Sequence, residues 1–174
     1  RQNRLDDEIK AFETVVTLDP DLAEGHMNLG LALRRRGDRE QALAALRRAV
    51  ELKPQLTAAQ AILGFEALKS GRVRKALTHL ETAYDAAPSD ANVNLWLGRT
   101  YFELGRFAEA SFRLGSARQS KAEDPEVLYY LTQAYAKAAQ ETRDLLAAAA
   151  PESSQLQHAE GRRAAAAGLY EQAI

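Results

Sequence analysis

The chain contains no cysteine, which removes disulfides, zinc–thiolate sites and cysteine nucleophiles from consideration. It also lacks an excess of either charge, with Lys+Arg 23 against Asp+Glu 24 and a formal net charge of -1. Proteins that grip nucleic acid or a membrane surface electrostatically carry a basic surplus, so those classes start at a disadvantage. No apolar run approaches the roughly 18 residues of a membrane span. An initiator Met and a signal peptide are missing too: the chain runs from Arg1-Gln2-Asn3 to Gln172-Ala173-Ile174. Such ends read as those of a piece of a longer protein, which leaves targeting and localisation open. What is present suffices for a core, since 46% hydrophobic and 27% charged residues over a length of 174 fit one ordered domain or a short repeat array.

Chemistry-bearing motifs are equally scarce. The sequence has no phosphate-binding Walker loop, no Gly-x-Gly-x-x-Gly and no His-Glu-x-x-His. Its histidines, His26, His79 and His158, stand far apart with no second ligand at helical spacing, so they read as surface or interhelix residues rather than a metal or catalytic site. The expectation is therefore no catalytic residue, no metal, no cofactor and no small-molecule substrate. Arg34-Arg35-Arg36 with Arg39, and Arg47-Arg48, could form a phosphate patch. Helical repeats that read RNA carry a recurring base-reading pair in each unit; no such column recurs here, and a solvated face is the better account of these arginines.

Repetition is the strongest signal. Leu29-Gly30, Leu63-Gly64 and Leu97-Gly98 recur every 34 residues. A second glycine follows each (Gly37, Gly71, Gly105), then an alanine (Ala42, Ala76, Ala110), a leucine (Leu46, Leu80, Leu114) and another alanine (Ala49, Ala83, Ala117). Pro54 and Pro88 close the first two units. Each unit reads as two helices that meet at a glycine able to adopt the left-handed conformation, with small residues permitting close approach. Capping-box spacings at Asp21/Glu24 and Thr57/Gln60 predict helix starts, as does the Asp124-Pro125 pair.

These columns resemble the tetratricopeptide repeat, a 34-residue helix-turn-helix unit. The resemblance implies an all-α, right-handed superhelical solenoid, with full repeats at 23–56, 57–90 and 91–124. Residues 1–22 then read as the second helix of an earlier, truncated unit, with Phe12 and Pro20 in register. Residues 125–153 form an irregular unit: Leu131 and Tyr135 are in register, but no glycine falls at the expected turn. One long helix is the reading, with a shortened helix pair as the rival. Residues 154–174 read as a truncated last unit whose turn falls at Gly168.

First helices of such stacks line a concave side. At about 100° per residue, the positions turned away from the intra-unit core give a strip: Met27, Asn28, Leu31, Arg34, Ile62, Phe65, Leu95, Trp96, Arg99, Phe102, Tyr129, Tyr130 and Gln133. It is mostly apolar and aromatic, the composition of a protein-binding face, and Arg34, Arg35, Arg99 and Lys137 are expected to form a basic rim. Two uses known in the family do not match. The Lys/Asn/Arg clamp of chaperone-binding members is replaced by Met27, Leu31, Ala58, Ile62 and Trp96. The asparagine ladder of sugar-transferase members keeps only Asn28 in the column Asn28, Ile62, Trp96, Tyr130. The expected function is thus a non-enzymatic protein-interaction scaffold that binds a partner peptide or helix in its groove. The alternatives are an architectural spacer whose groove is filled intramolecularly and a nucleic-acid-binding helical repeat.

Overall fold

The computed structural model describes the backbone of residues 2–171, and the side chains of residues 3–163 and of Ala165. Among the described residues there are nine helices and no strand: α1 (Gln2–Leu18), α2 (Ala23–Arg36), α3 (Arg39–Leu52), α4 (Thr57–Lys69), α5 (Val73–Ala86), α6 (Ala91–Glu103), α7 (Phe107–Arg118), α8 (Pro125–Ala149) and α9 (Ser154–Glu171). Three antiparallel hairpins, α2/α3, α4/α5 and α6/α7, stack in chain order; α1 precedes them and α8 closes the stack against α7.

The two glycine columns perform different tasks. Gly37, Gly71 and Gly105 take positive φ angles of 100°, 70° and 73°, a region that costs an L side chain about 1–2 kcal/mol. Each turn closes with one long backbone bond: Asp38 N–H to Leu33, Arg72 N–H to Ala67 and Arg106 N–H to Tyr101, at 3.0, 2.9 and 2.9 Å. This is the Schellman ending that a left-handed residue permits. Gly30, Gly64 and Gly98 instead face the second helix of their own hairpins. A Cβ there would lie 2.7, 2.5 and 2.6 Å from the Cγ of Leu46, Leu80 and Leu114, side chains that are wholly buried. The absent methyl group is what lets each helix pair close.

A third column ties successive hairpins together. His26 Nε2, Gln60 Nε2 and Asn94 Nδ2 donate to the carbonyls of Pro20, Pro54 and Pro88, at 2.8, 2.6 and 2.7 Å. Each first helix thereby anchors the turn that delivers it. The corresponding residues of the next unit, Leu128 and Ala122, cannot make this bond, and Leu128 is left exposed.

Expected helix starts are met unevenly. Asp124 caps α8, its Oδ1 accepting from Glu126 N–H at 2.9 Å and Val127 N–H at 3.4 Å, with Pro125 as the first helical residue. The two capping boxes do not form. Leu22 and Leu56 occupy the cap positions of α2 and α4 without a side-chain bond. Tertiary partners have claimed the groups: Asp21 accepts from Arg48 at 3.0 Å, Glu24 from Lys53 at 2.6 Å, and Gln60 holds the Pro54 carbonyl. The helices also start one residue away from the expected register, so Asp21 precedes the cap position and Thr57 is already the first helical residue.

α8 is a continuous helix of 25 residues. Its buried residues, Val127, Leu131 and Ala134, all lie in the first half, whereas Leu145 is 70% exposed. The second half overhangs the stack and carries α9, which Ser153 starts by accepting from Leu156 N–H at 3.2 Å. The backbone stays helical through Gly168 to Glu171, so the turn expected at Gly168 is not made; the alanine run before it favours helix and no proline ends it. The remainder of that expected segment, residues 172–174, lies outside the described residues.

Candidate binding groove

First helices α4, α6 and α8 touch their neighbours directly, α4 on α6 and α6 on α8, and aromatic side chains on them gather in two groups. Phe65 and Trp96 stack with ring centroids 4.6 Å apart and planes at 30°, and the Lys69 ammonium lies 5.5 Å from the Phe65 centroid. Further along, Tyr130 receives the edges of Phe102 and Tyr129 at 5.6 and 5.1 Å. Phe102 also meets Phe107 edge to face at 5.3 Å. Offset and edge-on geometries at these distances are the favourable ones for aromatic pairs, so the rings hold one another in place. Tyr129 reaches outward and is 59% exposed.

The remaining strip residues divide by what they touch. Met27 and Leu31 are half-buried against the core between α2, α3 and α4, while Asn28 and Gln133 are half-buried on α2 and α8. Ile62 is 8% exposed, at the edge of that core. Leu95 is only 2% exposed and belongs to the cluster containing Ala67 and Leu68. The groove position expected for Leu95 is corrected on this point: adjacent first helices are close enough that this side chain is used up between them, so the surface passes over it from Phe65 to Trp96.

The expected basic rim is also narrower. Arg35 is paired with Glu8. Arg99 is paired with Glu126 and lies 4.9 Å over the Tyr130 ring, its side chain 19% exposed. Both charges are met from within the fold. Arg34 and Lys137 are exposed, and neither makes an ion pair or side-chain hydrogen bond among the described residues. Position within the stack likewise explains Tyr135, the counterpart of Tyr101. Tyr101 is 6% exposed, held by Glu81 at 3.0 Å and covered by Arg106 at 4.4 Å. Tyr135 is 57% exposed, because no turn follows it to supply a cover.

A cleft of about 380 Å³ lies between α2, α4 and α6. Arg34 lines it from α2, Ala58, Ala61 and Ile62 from α4, and Asp90, Asn92 and Trp96 from the start and first half of α6. Thr57, Asp90 and Val93 escaped the sequence reading; they sit at helix starts, and a wheel drawn from helix centres does not show that the next unit's first turn closes the cleft. Asp90 Oδ1 caps α6, accepting from Asn92 and Val93 N–H at 2.8 and 2.9 Å.

Two of the three histidines have structural partners: besides His26, His79 Nδ1–H donates to Gln60 Oε1 at 2.6 Å, while His158 is exposed. Burial, with Lys75 and Arg47 nearby, lowers the His79 pKa below its ordinary value. No group of three His, Asp or Glu side chains suited to a metal occurs among the described residues. Nor is any described helix long and apolar enough to cross a membrane.

Models of the tetratricopeptide repeat match residues 23–56 and 67–134. Among solved structures, a MamA protein aligns with a TM-score of 0.67 at 22% identity over 79% of this chain and 75% of its own. Residues 41 to the end of MamA from Desulfovibrio magneticus RS-1 align at 0.65 and 20%, covering 88% and 90%. YrrB, described as a TPR protein with an unusual peptide-binding site, aligns at 0.68 and 18%, covering 91% and 84%. At these identities the likeness is one of fold. No curated protein sequence matches the chain significantly.

Proposed function

Because this chain belongs to the tetratricopeptide repeat family, we propose that it is a non-enzymatic protein–protein interaction scaffold that holds a partner segment in the groove formed by α2, α4, α6 and α8. Residues 23–56, 57–90 and 91–124 act as its three full repeats, and 125–153 as the irregular unit that ends the groove. The observation that carries this reading is the two groups of packed aromatic side chains, Phe65 with Trp96 and Phe102 with Tyr130 and Tyr129, none of them fully buried. Trp and Tyr are favoured interface anchors, since they bury much area while losing little rotamer freedom. Their ring-to-ring contacts already fix them, so binding would cost little further side-chain entropy. The peptide-binding site described for YrrB agrees with this use of the fold. The open cleft between α2, α4 and α6 favours an external partner over a groove filled by the chain's own helices.

The test compares wild type with a Phe65→Ala, Trp96→Ala, Tyr129→Ala variant shown by circular dichroism to remain helical. Affinity capture from a lysate, read by mass spectrometry, is expected to enrich a protein with wild type and lose it with the variant. Identical recoveries from the two would remove the groove from the account.

A further inference from the structure

We propose that the cleft between α2, α4 and α6 takes a short extended segment in which an acidic residue and a bulky apolar one project from the same face. The carboxylate lies on Arg34, and the apolar side chain sits against Ile62 and Trp96. This rests on the groove reading above and narrows it to one chemistry of partner.

Size and shape argue for an extended segment. About 380 Å³ is at the lower end of small-ligand sites; it holds one large side chain with its backbone, not the 10 Å cylinder of a helix. Ala58, Ala61 and Ile62 give the α4 side a small-residue, apolar lining, and stacking on Phe65 fixes the Trp96 ring on the α6 side. An apolar side chain entering here meets preformed surface on two sides.

Charge sets the rest. Arg34 is the one cation lining the cleft. Its neighbours are engaged, Arg35 with Glu8, and Arg36 with Asp6 and Asp38. Arg34 has no such partner among the described residues; the carboxylate of the neighbouring recess that it also borders, Glu66, is paired with Arg39, which leaves Arg34 for an occupant of the cleft. Asp90, at the start of α6, is the one carboxylate lining the cleft and repels a second acid there. The segment therefore binds in one direction, acid toward α2 and away from α6. A guanidinium matched to a carboxylate through paired donors gives that direction geometric as well as electrostatic force.

The test starts from a random dodecapeptide library displayed on phage and selected on the whole chain. Fluorescein-labelled copies of the enriched peptides are then titrated by anisotropy. Enriched sequences are expected to share an Asp or Glu at fixed spacing from a Phe, Leu or Ile. They should quench or shift the emission of Trp96, the chain's single tryptophan. Arg34→Glu, first checked by circular dichroism to keep the wild-type helical spectrum, is expected to weaken them about tenfold, equivalent to ~1.4 kcal/mol. Peptides whose acid is replaced by Lys should regain affinity for that variant. Peptides that need Trp96 but ignore Arg34→Glu would overturn the acidic subsite and leave the groove reading standing. Peptides indifferent to both Trp96→Ala and Arg34→Glu, or no enrichment at all, would overturn the groove reading itself.

Discussion

Gly64→Ala offers the sharpest test of the packing that shapes the groove. In most helices this substitution stabilises, because alanine is favoured over glycine by about 1 kcal/mol in a helix interior. Here the added Cβ would stand 2.5 Å from Leu80 Cγ, 2.9 Å from Leu80 Cδ2 and 3.3 Å from His79 Cβ. Leu80 is wholly buried, so it cannot swing into solvent and α4 must move away from α5. Overpacking of this kind costs about 1–3 kcal/mol; with the contact inside any van der Waals distance the upper end applies, and after the propensity gain about 2 kcal/mol of net destabilisation remains. Urea unfolding, followed by circular dichroism and by Trp96 emission, measures it; the local probe matters because repeat arrays need not unfold in one step. Leu80→Ala alone should cost about 2–5 kcal/mol by leaving a cavity. The double variant should cost clearly less than the two single losses together, since the new methyl group enters the space that the leucine vacates. A Gly64→Ala protein as stable as wild type would refute the claim that this glycine sets the helix spacing.

Other consequences can be read with the same unfolding assay. Tyr101→Ala should cost about 3 kcal/mol and its counterpart Tyr135→Ala under about 0.5 kcal/mol, because one ring is 6% and the other 57% exposed. Asp124→Ala removes the acceptor for two N–H groups of α8 and should lower stability by about 1 kcal/mol. His79 is held neutral by burial and by Lys75 and Arg47, so its pKa in the fold lies below its unfolded value. The stability it contributes is therefore complete above about pH 6.5 and is lost as the pH falls through the lowered value. Wild type should accordingly lose more stability between pH 7.5 and 5.5 than His79→Gln, and equal losses would contradict this account.

Features set by contact between residues in one hairpin were the legible ones. Gly30, Gly64 and Gly98 mark close approaches, and Gly37, Gly71 and Gly105 mark left-handed turns; both demands fall on single residue types at fixed spacing, so they leave a trace in the sequence. What depends on how one hairpin lies on the next was not legible. Arg35 finds Glu8, Arg99 finds Glu126 and Tyr130, and Arg48 finds Asp21, outcomes decided by the register between helices far apart in the chain. Leu95 was assigned to the groove for the same reason: a helical wheel gives a direction but not the distance to the neighbouring helix. The proline-carbonyl column of His26, Gln60 and Asn94 recurs at the 34-residue period but escaped notice because its three residues differ while its hydrogen bond does not.

Oxidative footprinting of side chains by hydroxyl radicals tests the central claim most directly, with the chain alone and then saturated with a captured partner or a selected peptide. The groove account predicts that the partner protects Met27, Phe65, Trp96 and Tyr129, while Phe112 and Tyr135, exposed at 67% and 57%, oxidise at unchanged rates. Protection of Phe112 and Tyr135 with Trp96 and Tyr129 left reactive would place the binding surface outside the groove and contradict the account.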